Sequence, residues 1–225
     1  MDLKQLAYLR ALGIQVWVDR SGRDRAAPET MKAELCAEEW ERLAQAVAEC
    51  TACPLHQTRT RPVFGVGNRR AAWMLIGEAP GEQEDLKGEP FVGPAGQLLN
   101  EMLRALRLKR EEVYITNLLK SRPPGNRDPR PEEVAACAPF LMRQIDLVRP
   151  QIILAVGRIA AQNLLQTEAP LSRLRGKAHY YKAIPVIVIY HPAYLLRNPA
   201  AKRQAWEDLK FAWQVYSARS QQTHG

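Results

Sequence analysis

The run Trp73-Met74-Leu75-Ile76-Gly77 is short and apolar and stops on a glycine. A loop rich in glycine and acid follows. Residues 95–106 then place Leu98, Leu99, Met102, Leu103 and Leu106 on one stripe at helical spacing. The same order returns along the chain. Val113-Tyr114-Ile115-Thr116 precedes a helix opened by Pro131, Glu132 and Glu133, with Val134, Cys137, Leu141, Ile145 and Val148 on its apolar face. Proline in the first turn and acids near the positive helix end are the favoured opening. Ile152-Ile153-Leu154-Ala155-Val156 precedes a helix over 158–165. Pro185-Val186-Ile187-Val188-Ile189 precedes one over 201–216, which groups Trp206, Leu209 and Trp213. Apolar strands separated by amphipathic helices specify an α/β fold, a short parallel sheet of about four strands covered on both faces.

Upstream, a helix over 37–48 with Trp40, Leu43 and Val47 on one face delivers the chain into Cys50 and Cys53. Residues 19–33, mostly polar with Gly22 and Pro28, predict a loop or mobile link, and a first helix is expected over 4–12. The organisation read from this is an N-terminal extension (1–35), one domain (36–219) and a short tail (220–225). A chain of 225 residues, 46% apolar, suffices for one substantial core.

The net charge of +8 favours a polyanionic partner without naming it. The opening MDLKQLAYLR lacks a sustained apolar run and a small-residue cleavage site, and no apolar stretch approaches the roughly 20 residues of a membrane helix. The expectation is a cytoplasmic protein with no membrane role. Four cysteines occur: Cys36, Cys50, Cys53 and Cys137. Disulfides are not expected in that compartment. The pair Cys50-Thr51-Ala52-Cys53 has metal-ligand spacing, which equally suits a redox pair or chance.

Ligands of open α/β sheets bind beyond the carboxyl ends of the strands. Those ends carry Gly77-Glu78, Asn117, Gly157 and Tyr190-His191, so four loops converge on one cleft. The first loop has neither GxGxxG nor GK[ST], which argues against dinucleotide and phosphate-loop chemistry.

Four blocks then carry a resemblance: CTACPLHQTRTRPVFGVG (50–67), GEAPGEQEDLKGEPFVGPAGQLLNEML (77–103), YITNLLKSRPPGNRDPRPEEVAACAPFL (114–141) and VIVIYHPAYLLRNP (186–199). In order and spacing they resemble family 4 uracil-DNA glycosylases, over about residues 40–216. The resemblance implies a three-layer α/β/α fold. It implies hydrolysis of the N-glycosidic bond of uracil in DNA, single- or double-stranded, by a monomer. Phe91 is expected to stack on the flipped base, Asn117 to meet its O4 and N3 edge, and His191 to sit near O2. Gly77, Gly81 and Glu84 would line the base site. Glu78 is the preferred carboxylate near the sugar, with Glu84 and Asp85 as rivals. Ala79 stands where other uracil glycosylases carry an aspartate. One of Leu195 and Leu196 is expected to wedge into the duplex beside Arg197. Basic residues collect as Arg59 and Arg61, as Arg122, Arg127 and Arg130, and as Arg173, Arg175 and Lys177. Of these, Arg122 and Arg127 are the expected phosphate contacts.

The family also binds a [4Fe–4S] cluster through four cysteines. Cys50, Cys53 and Cys137 match three of them, and Ser121 fills the remaining position. A hydroxyl is a harder donor and far harder to ionise than a thiol, so the cluster is expected to be incomplete, labile or absent. Cys36 and His56 are weaker substitutes. Two other functions stay open beside excision: a relative that traps the sugar covalently through a histidine, and a non-catalytic binder of damaged or single-stranded DNA. No histidine occurs between Asn117 and Arg130, which argues against trapping.

Overall fold

The computed structural model describes residues 29–222. The expectations for 4–12, for 19–28 and for the last residues of the tail lie outside the described residues. The helices are α1 (Glu29–Ala48), α2 (Glu82–Lys87), α3 (Pro94–Ala105), α4 (Pro131–Val148), α5 (Arg158–Leu165), α6 (Leu171–Leu174), α7 (Pro192–Arg197) and α8 (Lys202–Gln222). The strands are β1 (Val66–Gly67), β2 (Trp73–Gly77), β3 (Tyr114–Asn117), β4 (Ile152–Val156), β5 (Ala178–Tyr181) and β6 (Ile184–Ile189).

One six-stranded sheet has the order β1-β3-β2-β4-β6-β5. The inner four strands are parallel, and β1 and β5 pair antiparallel at the two edges. The parallel core is the expected one; the edges are additional. Two residues of β1 are too few to show a period. The sequence of β5, Ala-His-Tyr-Tyr, is largely half-buried and lacks the apolar run that marks the inner strands. Helix α1 also starts earlier than residue 37 and takes in residues 29–33, expected as part of a loop or mobile link, since Glu29 to Leu35 are mostly strong helix formers. The last helix reaches Gln222, so residues 220–222 are helical rather than tail.

Alternate residues of each inner strand point to opposite faces. Trp73, Leu75, Ile115, Leu154, Val156, Ile187 and Ile189 meet Leu99, Met102 and Leu103 of α3 and Leu209 of α8 in the main core. The other face receives Trp40 of α1, whose ring lies 5.3 Å from that of Tyr114, and Gln144 of α4, which bonds Thr116. Layers on both faces bury β2, β3 and β4 completely. Burial of that kind requires continuous apolar strands rather than alternating ones. Strand order reverses between β2 and β4, and a crevice opens there beyond the carboxyl ends.

One contact in the α3 layer tolerates no substitution. A Cβ at Gly96 would stand 1.8 Å from the carbonyl oxygen of Phe91, so α3 rests directly on the Phe91 backbone. Gly96→Ala is expected to lose about 1–3 kcal/mol in urea unfolding, the usual cost of overpacking. Wild-type stability would show that the helix has room to shift.

Candidate active site

Beyond β2, β3, β4 and β6 lies a cleft of about 420 Å³, lined by Glu78, Ala79, Gly81, Glu84, Phe91, Asn117, Arg127, His191, Tyr194 and Arg197 among others. That size falls within the roughly 300–1,000 Å³ of small-ligand clefts. Gly77 decides its inner end. A Cβ there would lie 2.4 Å from Asn117 Oδ1 and 2.6 Å from the Phe91 ring, so only glycine lets those two side chains meet in front of β2.

Phe91 is buried and adopts φ 53°, the left-handed region that a bulky residue rarely enters. Glu84 holds it there. Its Oε1 accepts from the main-chain nitrogens of Val92 (2.9 Å) and Gly93 (3.0 Å), which are otherwise unpaired donors at the start of α3. A strained conformation persists where neighbours over-determine it, and such strain clusters at functional sites.

Asn117 closes the inner end. It is 2% exposed, and its Oδ1 has no hydrogen-bond partner among the described residues. A buried amide oxygen left unpaired costs about 1–3 kcal/mol, which a ligand donor would recover.

His191 caps α7, its Nδ1 accepting from the main-chain nitrogen of Ala193 at 3.2 Å. That bond leaves the proton on Nε2, a donor for the cleft. Burial pushes its pKa down to about 4, Arg197 adds to the effect and Glu84 opposes it. The imidazole is therefore neutral at pH 7. Gly157, at φ +96°, passes beneath it, where a Cβ would stand 3.1 Å from His191 Cβ. The His191 and Phe91 ring centroids are 5.7 Å apart.

The three acids separate by their partners. Both oxygens of Asp85 accept from the Thr60 nitrogen at 3.0 Å, away from the cleft lining. Glu84 is held by its two main-chain donors. Glu78 alone has a carboxylate that lines the cleft and makes no hydrogen bond among the described residues. Burial raises its pKa to about 7, Asp128 raises it further, and Arg158, paired with Asp128 at 3.0 Å, opposes both.

The expected DNA contacts divide. Leu195 is 1% exposed and packs in the main core, which removes it as a wedge: one turn of helix α7 turns it inward. Leu196 is 44% exposed. Arg127 grips buried Glu133 with both terminal nitrogens, so its charge braces the loop after β3. Arg122 bonds Asn126 at 2.7 Å and keeps a distant pairing with Glu82. Arg197 is exposed at the cleft.

The uracil DNA glycosylase superfamily model matches residues 64–210. The chain is 49% identical over 176 residues to the type-4 uracil-DNA glycosylase of Archaeoglobus fulgidus, covering 75% of this chain and 88% of that protein. It is 44% identical over 174 residues to that of Thermotoga maritima, covering 76% and 91%. The chain belongs to the uracil DNA glycosylase superfamily, in its type-4 branch. A type-5 uracil-DNA glycosylase of Thermus thermophilus is 34% identical over 137 residues, covering 54% of this chain and 60% of that protein.

The cysteine corner of this type-4 chain lies behind the loop after β3. Cys137 and half-buried Cys53 pack with Leu55 and Leu119. Burial pushes the Cys137 thiol up, the Lys120 main-chain N–H (3.4 Å) and the Lys120 charge lower it, and Cys53 and Cys50 raise it again, so all three sulfurs are within electrostatic reach. Among the described residues, no group of three or more His, Cys, Asp or Glu side chains could hold a metal ion. Three cysteines supply the soft donors that an iron–sulfur group takes. The fourth position does not. The Ser121 hydroxyl accepts from Arg59 at 3.0 Å, and the same guanidinium donates to the carbonyls of Ala48 (2.8 Å) and Cys50 (3.1 Å). His56 is turned onto the Cys53 carbonyl at 2.7 Å, and Cys36 lies in α1.

Lys120 is a residue that sequence reasoning missed. The residue is 2% exposed, and its Nζ donates to Thr116 Oγ1 (2.6 Å), the Asn117 carbonyl (2.7 Å) and Gln144 Oε1 (2.7 Å). The available signal was a lysine directly behind the two leucines that follow β3.

Site-resolved NMR titration tests the electrostatics. Glu78 is expected to titrate near pH 7, and Asp128→Asn to lower that value. His191 is expected to stay neutral down to pH 5 with its proton on Nε2. A Glu78 titration near pH 4.5, or a charged His191 at pH 6, would contradict the burial argument.

Proposed function

We propose that this chain hydrolyses the N-glycosidic bond of uracil in DNA, releasing uracil and leaving an abasic site. One observation carries the reading: Asn117, whose buried Oδ1 has no partner among the described residues, lines a cleft together with a phenyl ring and a neutral histidine. Uracil offers a donor at N3 and acceptors at O4 and O2. Asn117 Oδ1 accepts from N3–H while its amide donates to O4. Cytosine presents a lone pair at N3 and an amino group at position 4, leaving both amide atoms opposed. Phe91 supplies the flat face for a base drawn out of the stack.

Cleavage moves the C1′–N1 electron pair onto uracil, where the charge spreads to O2. The His191 Nε2–H donates to that oxygen more strongly as charge grows, which lowers the barrier. The sugar gains positive character at C1′. Glu78, as carboxylate, balances it and orients the water whose oxygen bonds C1′; the water proton leaves to solvent. Glu84 acts through the backbone by holding Phe91, and so positions rather than reacts.

Cys50, Cys53 and Cys137 are proposed to hold a [4Fe–4S] cluster, with Ser121 kept from full ligation by its bond to Arg59. Such a group supplies a structural tie and takes no part in bond cleavage. Charge alone suits DNA of either strandedness, and Arg197 and Arg122 are the proposed phosphate contacts.

Uracil-containing oligonucleotides treated with alkali after incubation should break at the uracil. Asn117→Ala and Glu78→Gln should each slow single-turnover excision about 10²-fold or more. Since the carboxylate is the active form and its pKa is about 7, the rate should fall as pH drops through 7. Glu78→Gln should lose that limb. No strand break at stoichiometric enzyme would reject the proposal. Anaerobically purified protein should contain iron with visible iron–sulfur absorption, and Ser121→Cys should retain more of it. Protein without iron in either form would reject the cluster.

A further inference from the structure

The mouth of the cleft carries a stack of side chains that the proposed base recognition leaves unused. Arg175 lies over the Tyr190 ring, 3.9 Å from its centroid. The rings of Tyr190 and Tyr194 stack with centroids 5.0 Å apart and planes 18° from parallel. Both members behind Tyr194 are held fast. Arg175 Nε donates to the buried carboxylate of Asp208 at 2.6 Å, and a terminal nitrogen donates to the Gln204 carbonyl at 2.9 Å. The Tyr190 hydroxyl donates to Gln204 Oε1 at 2.9 Å.

Tyr194 sits in α7, and its main-chain nitrogen donates to the His191 carbonyl at 2.9 Å. Its ring is 39% exposed and lines the same cleft as Asn117, Phe91 and His191. A lone exposed aromatic is ordinary on a protein surface. This one is braced from behind, adjoins the base site, and is already ordered, so a flat ligand meets a surface whose rotamer entropy is lost before binding. Arg197, on the same helix, also lines the cleft and supplies a cation beside it. A flat face next to a cation suits a nucleotide, because its base presents a π-face and its sugar carries a phosphate.

We propose that Tyr194 forms a second base subsite, stacking on the nucleobase next to the uracil in the bound strand. The proposal rests on the uracil-excision reading and extends it from one nucleotide to two. It gives the strand a register: one base turned into the inner cleft, its neighbour parked on the Tyr194 ring at the rim.

The test is a two-way exchange on the full-length chain. Single-stranded oligonucleotides carrying 2′-fluoro-deoxyuridine serve as uncleaved probes for affinity, and plain uracil oligonucleotides report single-turnover excision. The nucleotide on each side of the uracil is replaced in turn by a base-less tetrahydrofuran. Tyr194→Ala is expected to weaken binding about tenfold or more, as base–aromatic stacks do. Tyr194→Phe, which keeps the ring, should bind as wild type does. Removing the neighbouring base on one side should weaken the wild type by the same factor and leave Tyr194→Ala unchanged.

Unaltered affinity in Tyr194→Ala would overturn the subsite. So would losses from the substitution and from base removal that multiply on both sides. A wild type that neither excises uracil nor prefers the uracil probe to a thymine one would bring down the excision reading, and the subsite with it. Active wild type with multiplying losses would remove the subsite alone.

Discussion

A lysine that meets no carboxylate among the described residues lies behind the cleft, and it ties together the elements that present the site. Desolvation lowers the Lys120 pKa to about 7, with the Cys137 charge opposing. Burying such a group is costly unless its donors are satisfied, and Lys120 meets three neutral acceptors. Those acceptors belong to β3, to its terminal residue Asn117, and to α4. Through Gln144 the network continues to the Phe64 carbonyl and the Tyr114 hydroxyl. The lysine's own N–H meets Cys137. One amine thus joins the strand that presents Asn117, the helix that carries Cys137 and the segment running on from the first cysteine pair.

The same low-dielectric cleft shifts two side chains in opposite directions, because burial always disfavours the charged form. His191 is driven to neutrality and becomes a hydrogen-bond donor that brings no positive charge to a leaving anion. Glu78 is driven toward protonation and becomes a carboxylate sensitive to its surroundings, with Asp128 and Arg158 adjusting it from outside. A buried inner end makes base readout severe as well, since an unmatched polar atom is costly where the dielectric is low.

The inner sheet was readable because burial on both faces imposes unbroken apolar runs. The edge strands were not: β5 is half-exposed and β1 spans two residues, so neither carries a period. Loop identities at the strand ends pointed to Gly77, Glu78, Asn117 and His191 because topology fixes where such ends converge. Direction was less readable. Nothing in Glu82-Gln83-Glu84-Asp85 distinguishes the acid that holds the Phe91 loop from the one that receives Thr60, because that depends on the short helix α2 and its long-range partners. Leu195 and Leu196 were equivalent in sequence; only the helical turn of α7 separates an inward leucine from an outward one. Lys120 escaped because a lysine is ordinarily a surface residue, and its three acceptors come from positions 116, 117 and 144.

The bridge from Arg59 to Ser121 has a consequence for endurance. A guanidinium and a hydroxyl have no accessible oxidation states under cellular conditions, whereas thiolates and iron do. The bond that ties the end of α1 and Cys50 to the loop after β3 is therefore indifferent to oxidants. In this chain one corner beside the cysteines is built from parts that cannot be oxidised, so contact between these segments does not depend on the state of the thiols.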